Sequence, residues 1–121
     1  MSQMPKTLVH RWTPRVLFEL SCKPMHFNAI QRAIEAPSAR MLSQLLKRLA
    51  RDGILERHVI AVGPPASVRY SLTTLGIELQ KSTEALVDFW RKNAPEIQER
   101  RFVNAEAARA DAARQADAGT A

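Results

Sequence analysis

Residues 38–53 read SARMLSQLLKRLARDG, and the fold turns on this stretch. Leu42, Leu45, Leu46 and Leu49 recur at i, i+3, i+4 and i+7, the stripe of a helix that faces a core. Ser38 is a favoured N-cap type, and Gly53 stands where a left-handed residue commonly closes a helix. Together they predict a helix from Ser38 to Asp52. Arg40, Ser43, Gln44 and Lys47 repeat the same spacing on the opposite side, flanked by Arg48 and Arg51. One face of the helix anchors it, and the other is cationic and polar.

Outward from this helix the punctuation is regular. Thr13-Pro14 reads as N-cap and first helical position, Val16, Leu17 and Leu20 supply an apolar stripe, and Lys23-Pro24 stops the run. A short helix is predicted from His26 to Glu35 on Phe27, Ile30 and Ile34, ended by Ala36-Pro37. Beyond Gly53, Ile54 to Val62 and Val68 to Leu72 are rich in β-branched residues, and Gly63-Pro64-Pro65-Ala66-Ser67 separates them. They predict a two-stranded hairpin with a stiff tip. Thr73 then caps a long helix carrying Leu75, Leu79, Leu86, Phe89 and Trp90, which Ala94-Pro95 is expected to kink or interrupt. From Asn104 the chain has no large apolar face, so that tail is expected to be mobile, helical or not. The expected fold class is mainly α with a small β-hairpin (α+β), with a folded domain over residues 1–93 and a charged, Ala-rich tail over 94–121. Three helices, a hairpin and a long helix make the winged helix-turn-helix arrangement.

Charge indicates the kind of partner. The formal net charge is +6, with 45% hydrophobic and 6% aromatic residues, enough for one modest core. Residues 1–95 hold 14 Lys/Arg against 7 Asp/Glu, whereas residues 96–121 hold 4 Arg against 5 Asp/Glu. Any anion-binding part is therefore expected in the first three quarters of the chain, its partner a nucleic acid or an anionic membrane surface; the alternative is a soluble protein that is merely basic. No apolar run approaches the roughly 20 residues of a membrane span. Residues 1–7 are polar with no apolar stretch after them, so no signal peptide is expected. Cys22 is the single cysteine, which excludes a disulfide within one chain and fits the cytoplasm. His10, His26 and His58 lie far apart in sequence, and neither a phosphate loop nor a nucleophile elbow is present. No metal, no cofactor and no catalysis are expected.

The polar face of the third helix suits double-stranded DNA. Arg40 and Gln44 present forked donors and acceptors of the kind that read base edges in a major groove. Lys47, Arg48 and Arg51 match phosphates, and Ser38 stands at a helix N-terminus, where backbone N–H groups favour an anion. The alternative is a solvated cationic surface above an ordinary Ser38 cap. In the hairpin, Arg57, His58 and Arg69 are placed as wing contacts to the DNA backbone or minor groove. Their alternative is that Arg57 and Arg69 form a cross-strand surface pair with Glu56 or stay solvated. Cys22, near Lys23 and His26, reads either as a redox-reactive thiol or as a small buried residue at a helix end. An apolar gap near Trp12, Phe18, Phe89 and Trp90 is the candidate pocket for a small-molecule effector.

The chain resembles the HxlR-type winged-helix regulators over about residues 10–90. The resemblance is carried by Arg11-Trp12, Phe27-Asn28-Ala29-Ile30-Gln31-Arg32-Ala33-Ile34, Ser38-Ala39-Arg40-Met41-Leu42, and Leu45 with Leu49. It continues through Asp52-Gly53, Pro64-Pro65, Val68-Arg69-Tyr70-Ser71-Leu72-Thr73, Gly76 and Trp90. It implies a transcriptional regulator that binds a palindromic or pseudo-palindromic operator as a homodimer. The N-terminal and C-terminal helices of the two chains would pack together, a role matched by Trp12, Leu79, Leu86, Phe89 and Trp90. Members of the family commonly carry a sensing cysteine upstream of the tryptophan. Here none precedes Trp12, so Cys22 does not inherit that role. Lys23 and His26 stand where glycine and arginine are frequent, and Ala50 replaces a common acidic residue. The competing function is a winged-helix protein-interaction module without specific DNA binding, against which Arg40, Lys47, Arg48 and Arg51 count.

Overall fold

A computed structural model describes residues 3–61 and 67–119 of the 121. After a 3-10 turn at Lys6–Val9 come α1 (Thr13–Cys22), β1 (Met25–His26), α2 (Phe27–Ile34) and α3 (Ala39–Arg51). They are followed by β2 (Leu55–Ala61), β3 (Ser67–Leu72) and α4 (Thr74–Gly119). This is the mainly helical winged helix-turn-helix expected from the pattern. Two compact units result, Met1–Glu84 and Ala85–Ala121.

The apolar stripes of the first unit converge on one core. Val16 and Leu17 of α1, Ile30 and Ile34 of α2, and Leu42, Leu46 and Leu49 of α3 are all at most 1% exposed. Leu55 and Tyr70 close the core from the sheet. Each large aliphatic side chain buried in this way contributes about 1.5–3 kcal/mol, enough to hold three short helices that would not persist alone. The caps complete them. Ser38 Oγ accepts the Met41 amide at 2.9 Å. Gly53 takes φ +79, and its amide and that of Ile54 return to the Ala50 and Leu49 carbonyls. Thr73 Oγ1 accepts the Gly76 amide at 3.0 Å and itself donates to the Gly53 carbonyl at 2.6 Å. One hydroxyl thus starts α4 and ties it to the end of α3.

Three local expectations are corrected. At the start of α1 the N-cap is Trp12, with no side-chain bond, because the Thr13 hydroxyl is spent on the buried Thr7 carbonyl at 2.5 Å. The expected hairpin is present as β2 and β3, but β1 extends its sheet to three strands, in the antiparallel order β1-β3-β2 with Met25 opposite Tyr70 and His26 opposite Arg69. Pro95 does not interrupt α4. Its missing N–H deprives only the Arg91 carbonyl, and both residues are exposed, so water satisfies that oxygen. The expected hairpin tip from Gly63 to Ala66, with Val62 before it, lies outside the described residues.

Candidate nucleic-acid interface

The two faces of α3 are cleanly separated. Leu42, Leu45, Leu46 and Leu49 are 0–3% exposed, whereas Arg40, Gln44, Lys47, Arg48 and Arg51 are exposed and Ser43 is half-buried. At 100° per residue, Arg40, Ser43, Gln44, Lys47 and Arg51 span one side, with Arg48 at its margin. Arg51 is not free: its Nε lies 3.5 Å from Asp52 Oδ1. Ser38 is exposed at the head of the helix, its Oγ engaged by the Met41 amide.

Register divides the wing residues that the sequence grouped together. Arg57 is opposite Tyr70, and His58 is opposite Arg69. Directly opposed residues point to the same side of a sheet, and successive residues alternate. Tyr70 is 5% exposed, so Arg57 leaves the sheet on its core side, towards α3. There it lines a groove of about 590 Å³ with Ser43 and Lys47 of α3, Asn28 of α2, His26 and Tyr70. His58 and Arg69 occupy the other face. Arg69 and His58 are directly opposed and exposed there, whereas His26, paired with Arg69 in register, also borders the groove. His58 Nε2 stands 3.6 Å from Glu56 Oε2 and 3.2 Å from Ser71 Oγ. The acid expected to pair with Arg57 or Arg69 therefore pairs with His58. His26 Nδ1 lies 3.1 Å from the Val68 carbonyl. Asn28 and the position of His26 in the sheet escaped the sequence reading, because a two-residue strand leaves no periodic signal.

The residues assigned to a dimer face or effector pocket fall in both units. In the first, Trp12 and Leu79 pack against the core and Phe18 is 55% exposed. In the second, Leu86, Phe89 and Trp90 are 65%, 57% and 44% exposed. Cys22 is exposed, its thiol facing the Phe18 carbonyl at 3.9 Å, which overturns the buried alternative. It borders a groove of about 410 Å³ lined also by Leu20, Lys23, Leu72, Ile77 and Gln80.

Comparison with known proteins gives the family and the fold. The family model described as HxlR-like helix-turn-helix matches residues 7–98. The HTH-type transcriptional regulator YtfH of Escherichia coli K12 is 37% identical over 92 residues, covering 76% of this chain and 72% of that protein. Among solved structures, the regulator ytfH from Salmonella typhimurium superimposes with a TM-score of 0.68 at 33% identity, over 79% of this chain and 85% of that one. The reduced form of the transcriptional regulator YodB from Bacillus subtilis gives 0.61 at 30% identity, over 76% and 94%.

Proposed function

The chain belongs to the HxlR-like helix-turn-helix family and is a DNA-binding transcriptional regulator, and from that premise we propose how it binds. It reads a palindromic operator as a homodimer, one α3 per half-site in the major groove. Arg40 and Gln44 address base edges, while Lys47, Arg48 and, from the wing, Arg57 hold the backbone. The half-sites are about one helical turn of DNA apart, or a multiple of it. It works by binding rather than catalysis, in the cytoplasm. Among the described residues no helix is long and apolar enough to cross a membrane.

The observation that carries this reading is the two-sided α3: a leucine face sealed in the core and, opposite it, exposed Arg40, Gln44 and Lys47. Support for the dimer comes from the second unit. Leu86, Phe89 and Trp90 share one side of α4 and are exposed, and large apolar side chains grouped in water on one face favour an interaction site. An effector, whether a small molecule or a redox signal, acts by shifting the population between binding and non-binding dimers.

The test is fluorescence anisotropy against DNA from upstream of the protein's own gene, with scrambled competitor, at two salt concentrations. Arg40→Ala and Gln44→Ala are run beside the wild type. A site-specific complex lost in both variants and weakening steeply with salt supports the proposal. A uniform, salt-insensitive association would overturn it in favour of a protein partner.

A further inference from the structure

We infer that the groove between α2, α3 and the sheet seats one backbone phosphate of the bound DNA, held jointly by Lys47 and Arg57. This rests on the functional reading above and deepens it. The wing is then not a single basic contact: Arg57 works with the reading helix, and Arg69 does not.

The register makes this division. Arg57 is opposite buried Tyr70, so its side chain emerges on the face of the sheet that packs on the core, beside α3. Arg69 is one residue out of phase and points the other way, opposite His58. On α3, Ser43 and Lys47 take the edge that borders the groove, whereas Gln44, Arg48 and Arg51 do not line it. The groove therefore has a cation on each wall, Lys47 from the helix and Arg57 from β2. Asn28, in the first turn of α2, supplies a neutral amide donor beside them.

Charge bookkeeping points the same way. Among the described residues neither Lys47 nor Arg57 takes part in an ion pair, while Arg51 is engaged by Asp52. No carboxylate lines the groove. Two exposed cations, with the Asn28 amide, the His26 imidazole and the Ser43 and Ser67 hydroxyls around a concavity without an acid, match a phosphodiester oxygen pair, to which Arg offers a fork and Lys a point charge. A phosphate at this place lies on the strand flanking the groove that α3 enters, so the pair fixes the depth and register of the helix without reading sequence.

The experiment is a salt titration of binding to a fluorescein-labelled duplex of mixed sequence, followed by anisotropy. The proteins compared are wild type, Lys47→Ala, Arg57→Ala, the double variant, Arg57→Lys and Arg69→Ala. Each phosphate neutralised contributes about 0.9 to the slope of log K against log salt. Arg57→Ala and Lys47→Ala are each expected to weaken binding and to lower the slope. Because they share one phosphate, the double variant lowers it by no more than about 0.9 in total. Arg57→Lys keeps the slope and Arg69→Ala leaves it unchanged. An unaltered slope in Arg57→Ala, an additive loss near 1.8 in the double variant, or an equal loss in Arg69→Ala overturns the shared seat. A wild type without any salt-dependent association with DNA overturns the functional reading itself, and the seat with it. Far-UV circular dichroism of each variant separates these results from misfolding.

Discussion

Thr7 Oγ1 donates a 2.9 Å hydrogen bond to Asp52 Oδ2, joining residues 45 apart in the chain. Thr7 is 5% exposed, and Asp52 is the C-cap of α3, its amide returning to the Arg48 carbonyl at 2.9 Å. The segment before α1 thus ends on the last turn of α3. Thr7→Val keeps the shape and removes the donor, and a bond to a carboxylate contributes about 1.5–3 kcal/mol. We expect urea unfolding to show a loss of about 1.5 kcal/mol with an unchanged m-value. A variant as stable as the wild type would show that water replaces the hydroxyl without cost.

Gly76 meets the sheet at closer quarters than any side chain allows. A Cβ at this position would run into the Ile54 backbone carbonyl, with Leu72 Cδ2 3.2 Å away. Backbone cannot yield as a side-chain tip can, so Gly76→Ala is expected to cost about 1–3 kcal/mol, although alanine is the better helix former. Thermal unfolding checks the sign: a raised midpoint would mean that α4 starts elsewhere.

The two faces of α3 predict opposite phenotypes. Leu46 is fully buried, so Leu46→Ala should destabilise the domain by about 2–5 kcal/mol. Arg40→Ala and Gln44→Ala should leave stability within about 0.5 kcal/mol and still weaken operator binding by about 1–3 kcal/mol. Chemical denaturation and anisotropy on the same preparations separate the effects. An Arg40→Ala protein that unfolds early would place that side chain in the fold rather than at the DNA.

How much of this the sequence carried depends on the range of the interactions. The leucine spacing, Ser38, Gly53 and Thr73 are local signals, and each element they bound is present. The strand Met25–His26 exists only because residues more than 40 positions later lie beside it, and nothing within it announces pairing. The division of Arg57 from His58 and Arg69 needed the register, which a one-residue slip would reverse. Pro95 misled for a related reason. Of its two expected effects, a kink or an interruption, the interruption does not occur, because on an exposed helix a lost carbonyl bond is offset by hydration and by turns on either side.

Cys22 stands exposed at the end of α1. A maleimide reagent should therefore modify the native protein at a rate close to that of the urea-unfolded chain, and Cys22→Ser should abolish labelling. If modification at Cys22 also lowers DNA affinity, the adjacent groove bounded by Leu20, Leu72 and Gln80 is coupled to the wing. Protection of the thiol until unfolding would contradict its exposure.

The last prediction concerns the C-terminal unit. Leu86, Phe89 and Trp90 are the large apolar side chains left in water on one side of α4 there, whereas from Asn104 the helix carries alanines with the i, i+3 ion pairs Glu106–Arg109 and Asp111–Arg114. Such exposed pairs support a helix locally, by a few tenths of a kcal/mol each at about the i,i+4 scale, and give a partner nothing apolar to bury. If the apolar side is the dimer face, Leu86→Asp should convert the protein to a monomer in sedimentation velocity and remove cooperative binding to a two-half-site operator. Deletion of residues 104–121 should leave both properties intact. A monomeric deletion product would move the interface to the alanine-rich segment, and a dimeric Leu86→Asp protein would remove it from this side of α4 altogether.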